Sequence, residues 1–243
     1  MKKSALVILV LSVITVFGVT SMFSSAYAWK PKVPDFGKKK EKVVKVDLDS
    51  VNAKDKSIRQ LVAKAAESFL MGTAKVMEAV GAKEKAEKYK AVVTDLLKNR
   101  EDPQNIKDAL NKVDEGNEDL KAVMEEKKEL DAEGKKLLGK GLIYVGAGGL
   151  ADIQAGQKTA EFVDTLKTSI DTVKGNPIKY GAKAVKQLKE SLSLMTFLSK
   201  TLPKQGSAIG KTFSAMTKYA KTQGVTVSDK DAEEEMAGWK EEG

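Results

Sequence analysis

Beyond residue 48 the hydrophobic positions of the chain recur with a helical period. Ile58, Leu61, Val62, Ala65, Phe69, Val76, Met77 and Val80 follow one another at mostly three- and four-residue steps, and Ala86, Tyr89, Val93 and Leu96 continue the stripe. This spacing predicts one long helix or two, broken near Gly81. Asp102-Pro103 reads as an N-cap followed by proline at the first helical position, where a missing amide hydrogen costs nothing. Ile106, Leu110, Val113, Leu120, Met124 and Leu130 then mark a second long amphipathic helix, with Lys107, Asp108, Lys112 and Glu126 on its other face. A third helix is expected to begin beyond a glycine-rich patch, with Phe162, Val163, Leu166, Ile170 and Val173, and to stop at Gly175-Asn176-Pro177. A fourth carries Ala182, Val185, Leu188, Leu192, Met195 and Leu198 to a break at Leu202-Pro203. A fifth, with Ile209, Phe213, Met216 and Tyr219, ends around Gly224, after which Ser228 caps a short acidic helix running towards Trp239.

These elements define an all-α fold. Long helices joined by short breaks pack best as an elongated antiparallel bundle, here over residues 48–224, and the near-heptad stripes predict coiled-coil-like packing. No repeat recurs at a fixed period of 20 to 50 residues, which weighs against a solenoid. Leu61, Phe69, Leu110, Leu166, Leu188 and Leu192 are expected to be buried together. Val44, Val46 and Leu48 alternate, which allows one short strand ahead of the helices.

The ends of the chain differ from its middle. Lys2 and Lys3 precede an uncharged apolar run from Ala5 to Val19, and Ala26-Tyr27-Ala28 supplies a small-x-small cleavage site. Residues 1–28 therefore read as a secretory signal peptide cleaved after Ala28. No cysteine lies at that junction to accept a lipid, so the expected location is the periplasm or the medium. Residues 29–47 contain Pro31, Pro34, Gly37 and a lysine cluster without helical period, and read as an extended basic arm. Residues 225–243 form an acidic tail, with seven acids against Lys230 and Lys240 from Asp229 onward. The formal charge of +8 falls to +6 once Lys2 and Lys3 leave with the leader.

Composition removes much of the usual chemistry. The 243 residues include no histidine and no cysteine, so the commonest general base, thiol nucleophiles, disulfides and the usual zinc ligands are missing. No S-x-x-K pair occurs after residue 28. Paired carboxylates remain available, but the acids lie mostly among lysines on polar helix faces. No cofactor and no metal are expected. Gly146-Ala147-Gly148-Gly149-Leu150-Ala151 fits the G-x-G-x-x-A pattern of dinucleotide sites, yet a helical stripe with Asp164 inside it stands where the second strand and its acid belong. Gln205-Gly206-Ser207-Ala208-Ile209-Gly210-Lys211-Thr212 lacks the first glycine of a phosphate-binding loop and follows Pro203 rather than a strand, so it reads as a helix-to-helix turn with a lysine after it. The acidic run from Asp229 to Glu235 has Glu234 where a calcium loop needs glycine. Nucleic acid is not an expected partner despite a pI near 9.3, because only Arg59 and Arg100 among 42 basic residues carry the planar fork that reads phosphate and guanine. An acidic protein or an anionic envelope surface suits the lysines better.

The glycine patch is the most informative stretch. Gly139, Gly141, Gly146, Gly148, Gly149 and Gly156 crowd eighteen residues, and 141–151 carry no charge. In a helix each interior glycine costs roughly 1 kcal/mol against alanine, so something must compensate. If the segment is helical, Ala147, Ala151 and Ala155 form a small-residue stripe that another backbone can approach closely. If it is not, it is an apolar tip between long helices. A helical bundle with such a tip resembles the general plan of α-helical pore-forming toxins, and that resemblance, confined to this segment, implies contact with a membrane. Gly141, Leu142, Ile143, Val145, Gly146, Gly148, Gly149 and Leu150 are accordingly the candidate membrane or packing residues. Two functional classes follow: an exported non-catalytic binding or scaffolding module acting through its helix faces, or a membrane-active protein inserting residues 139–156. An enzyme of unrecognised type completes the set.

Overall fold

The structure, a computed structural model, describes residues 45–227, and these fold into α-helices packed against one another, with no strand among the described residues. In chain order they are α1 (Leu48–Ala79), α2 (Lys83–Lys98), α3 (Pro103–Glu126), α4 (Ala132–Gly175) and α5 (Pro177–Thr222). Residues 1–44 and 228–243, on which the expected leader, most of the expected basic arm and the expected Ser228-capped helix fall, lie outside the described residues.

Local chemistry places the ends. Asp47 opens α1 by accepting a hydrogen bond from the Ser50 amide at 3.2 Å. The helix stops at Gly81, whose φ of +82° is a left-handed conformation that glycine adopts without strain. The Asp102 carboxylate caps α3, accepting from the amides of Gln104 and Asn105 at 2.8 and 2.9 Å, and Pro103 occupies the first turn. Asp131 caps α4 through the Gly134 amide at 2.7 Å. Asn176 separates α4 from α5, and Gly224 at φ +71° follows the end of α5. The breaks expected at Gly81, at Asp102-Pro103, at Gly175-Asn176-Pro177 and near Gly224 coincide with these ends.

Four expectations are corrected. The second helix does not reach Leu130: α3 ends at Glu126, Lys127 turns the chain at φ +48°, and Leu130 is buried in the connection to α4. The third helix does not begin beyond the glycine patch: α4 starts at Ala132 and runs through it, because close packing on two sides offsets the glycine cost. No break occurs at Leu202-Pro203, which lies inside α5. Pro203 is exposed, while Leu202, Gln205, Gly206 and Ile209 around it are buried and hold the helix in place. The short strand is absent among the described residues: Val46 precedes α1, its amide donating to the Tyr180 hydroxyl at 3.1 Å, and Leu48 is the first helical residue.

Side-chain pairs fix the directions. Gly134, Gly141 and Gly148 of α4 lie against Ala79, Val76 and Phe69 of α1, so those helices are antiparallel. Gly139, Gly146, Gly149 and Gly156 lie against Val225, Phe213, Ile209 and Leu202, so the chain runs antiparallel again through α5. Lys90 pairs with Glu78 and Arg100 with Glu67, turning α2 back along α1. α3 then runs parallel to α1 and α5, as Gly116 beside Thr73 and the Tyr219 hydroxyl donating to the Lys128 carbonyl show.

Phe69, Leu110, Leu166 and Leu188 sit in the common core, all at most 2% exposed. Leu61 and Leu192 do not join them there; they flank their helices' core-facing stripes and are half-buried against the edge of the core. Truncating Leu110 or Leu166 to alanine should therefore cost about 2 to 5 kcal/mol in urea unfolding, and Leu61 or Leu192 roughly half that.

Candidate functional site

The predicted glycine segment is the middle of α4, clamped between α1 and α5. A Cβ on Gly148 would lie 2.7 Å from the Phe69 amide nitrogen and 2.9 Å from the Ala65 carbonyl oxygen. Gly141 and Gly72 face each other, each blocking a side chain on the other with its carbonyl, and Val145 packs onto Gly72. Ser68 seals this seam by donating to the Tyr144 carbonyl at 2.8 Å. On the other side Gly146 meets the Phe213 ring and Gly149 meets Ile209. Leu142 is buried and Ile143 half-buried, whereas Leu150 is 53% exposed, with Ile153 beside it at 42%. Ala147, Ala151 and Ala155 are buried along the same helix. The segment is thus not a tip, and among the described residues no helix is long and apolar enough to cross a membrane.

Both phosphate-like glycine motifs are helix interior. Their amides point along α4 and α5 to carbonyls four residues back, which leaves none to cradle a phosphate. The helix-to-helix turn expected at 205–212 is continuous helix, with Gln205, Gly206, Ile209 and Thr212 inward and Lys211 outward.

A polar layer lies under this region. Gln205 of α5 donates through Nε2 to the Leu110 carbonyl at 2.6 Å and to Asp114 Oδ1 at 3.0 Å. Asp152 of α4 is 3% exposed, and its Oδ2 has no hydrogen-bond partner, as is true of Gln205 Oε1, both amide atoms of Asn117 and Thr212 Oγ1. Burial, and then the like charge of Asp114, push the Asp152 carboxyl up to about 7. Sequence reading missed it, placing the acids on polar faces. The signal was its neighbours: Gly148, Gly149, Ala155 and Gly156, three and four residues away, are all small, so Asp152 shares the packed face of α4. Surface depressions at the α1–α2 turn, lined by Glu78, Gly81, Lys128 and Asp131, and at the start of α1, lined by Asp47, Ser50 and Thr168, do not reach it. No group of three or more carboxylates that could hold a metal occurs among the described residues.

The outer face of α5 has a different character. This helix carries nine lysines and one glutamate. Its inward residues Leu202, Gly206, Ile209 and Phe213 meet α4, and Lys186, Lys200, Lys204, Lys211 and Lys218 point the opposite way, all exposed. At 3.6 residues per turn these five fall within about 40° of one another, along about 48 Å of helix. Among the described residues the ion pair on this face is Lys186–Glu190, at 3.9 Å between two largely exposed side chains. Lysines of α1 to α3 are engaged instead: Lys56 with Glu101, Lys85 with Asp119, Lys90 with Glu78 and Glu87, Lys112 with Glu115 and Lys121 with Glu118.

The chain matches no protein-family model, no curated protein and no solved structure.

Proposed function

We propose that this is an exported, non-catalytic helical module that binds or scaffolds through its helix faces, with a mature chain beginning at Trp29 and coiled-coil-like packing within an elongated bundle. The observation that carries this reading is the outer face of α5, where five aligned lysines are held in water with a single weak acid partner. A solvated face needs mixed charge, and α1 to α3 have it; one sign sustained along a helix creates a field that attracts an oppositely charged partner. The buried carboxylate Asp152 supports the same reading, because it is walled in by packing rather than presented to a cleft.

Insertion of residues 139–156 into a bilayer would require α4 to part from α1 and α5 together, exposing every backbone contact that its glycines make. Binding through the existing surface requires no such step.

Fractionation tests the proposal. The chain recovered from outside the cytoplasm should begin at Trp29. It should also sediment with isolated envelopes at low salt and be released as ionic strength rises. A chain beginning at Met1, or one that stays soluble with envelopes at every ionic strength, contradicts it.

A further inference from the structure

We infer that the outer face of α5 is a docking surface for an anionic lipid bilayer, on which the bundle lies with this helix against the headgroups; the inference rests on the reading of the protein as a surface-binding module. The chemistry of the face identifies the partner. Its cations are all lysine, compact charges on flexible stems, which suit diffuse negative charge better than the bidentate recognition of one carboxylate or phosphate. Between them stand Ser193, Ser207 and Ser214, short side chains that leave the lysines as the most protruding groups. Tight protein interfaces are centred on tryptophan, tyrosine or arginine anchors, and this stripe has none. Its aromatic, Phe197, is half-buried beneath Lys107, whose ammonium lies 5.7 Å from the ring centre.

Geometry supports the same partner. The five aligned lysines lie opposite the residues that meet α4, and Lys107 of α3 adds a further cation beside them over Phe197. Lys183 and Lys221 flank the line at its two ends. Each lysine at an anionic bilayer contributes roughly a fivefold gain in partition, and several acting together give firm but salt-sensitive binding. The contact is superficial, so it binds vesicles without permeabilising them.

Sedimentation with vesicles tests this on the mature full chain. Wild-type protein should bind phosphatidylcholine vesicles containing phosphatidylglycerol, fail to bind pure phosphatidylcholine, and release no trapped dye. Changing Lys186, Lys200, Lys204, Lys211 and Lys218 to glutamine should weaken binding by more than about a hundredfold. Changing the ion-paired Lys56, Lys98, Lys112, Lys121 and Lys167 to glutamine removes the same charge and should weaken it by less than about tenfold, with both variants keeping wild-type helix content. Equal losses in the two variants would reduce the effect to net charge and overturn the assignment. So would equal binding to neutral vesicles, dye release, or stripe-dependent binding to poly-glutamate with none to vesicles. If envelope sedimentation holds while the anionic vesicles fail, the lipid assignment falls and the binding-module reading stands.

Discussion

Replacing Gly148 with alanine should destabilise the protein by about 1 to 3 kcal/mol, even though alanine is the better helix former by about 1 kcal/mol. The added methyl would sit 2.7 Å from the Phe69 nitrogen and 2.9 Å from the Ala65 oxygen, and both are backbone atoms of α1, which cannot swing aside as a side chain can. Gly156 provides the opposite case on the same helix. Its nearest neighbour would be Leu202 Cβ at 3.5 Å, an ordinary contact, so alanine there should gain up to about 1 kcal/mol. Urea unfolding of both variants decides the matter: opposite signs confirm that α4 is gripped by the α1 backbone at Gly148, and equal shifts contradict it. Gly148→Leu should go further and abolish cooperative unfolding.

The second large effect belongs to Asp152. With its carboxyl pushed up to about 7 by burial and by Asp114, the folded protein holds a proton that the unfolded chain, with an ordinary value of 3.8, has released. The folded state therefore binds more protons between those two values. Asp152's contribution to stability is fully present below about pH 4, declines as pH rises towards 7, and is constant above it. Asp152→Asn removes the titration and should make the protein more stable at pH 8 by an amount on the order of 4 kcal/mol. Unfolding of wild type and variant at pH 5 and pH 8 checks this. The gap between them should widen by roughly 3 kcal/mol over that interval, and parallel profiles would refute it.

Those two residues also mark where the sequence is not legible. Helix ends were readable because caps and breakers act locally: Asp102-Pro103 and Gly175-Asn176-Pro177 need no tertiary partner to do their work. Pro203 was misleading, since what keeps α5 continuous there is burial of Leu202, Gln205 and Gly206 against other helices. The glycine segment posed the same problem in reverse. Its low helix propensity is outweighed by backbone contacts with residues 65 to 79, far away in sequence. The conditional reading, that a helical segment would present Ala147, Ala151 and Ala155 as one stripe, agrees with the burial of all three, while the close backbone approaches are made by the glycines beside them. Asp152 was hidden because period alone does not tell which of two faces a wide small-residue band will bury. The lysine stripe was legible in principle, as residues 204, 211 and 218 repeat every seven, but its significance depends on α5 being one helix across Pro203.

Because the chain contains no cysteine, a single introduced thiol reports on one place. Cysteines at Ser193 and Ser214 on the outer face of α5, and at Leu150 on the exposed edge of the glycine segment, can each be reacted with a water-soluble maleimide with and without anionic vesicles. Docking through α5 predicts slower labelling at residues 193 and 214, recovery of the rate in high salt, and no change at 150. Protection at 150 with unchanged labelling at 193 and 214 would contradict it and place the membrane contact on the glycine segment.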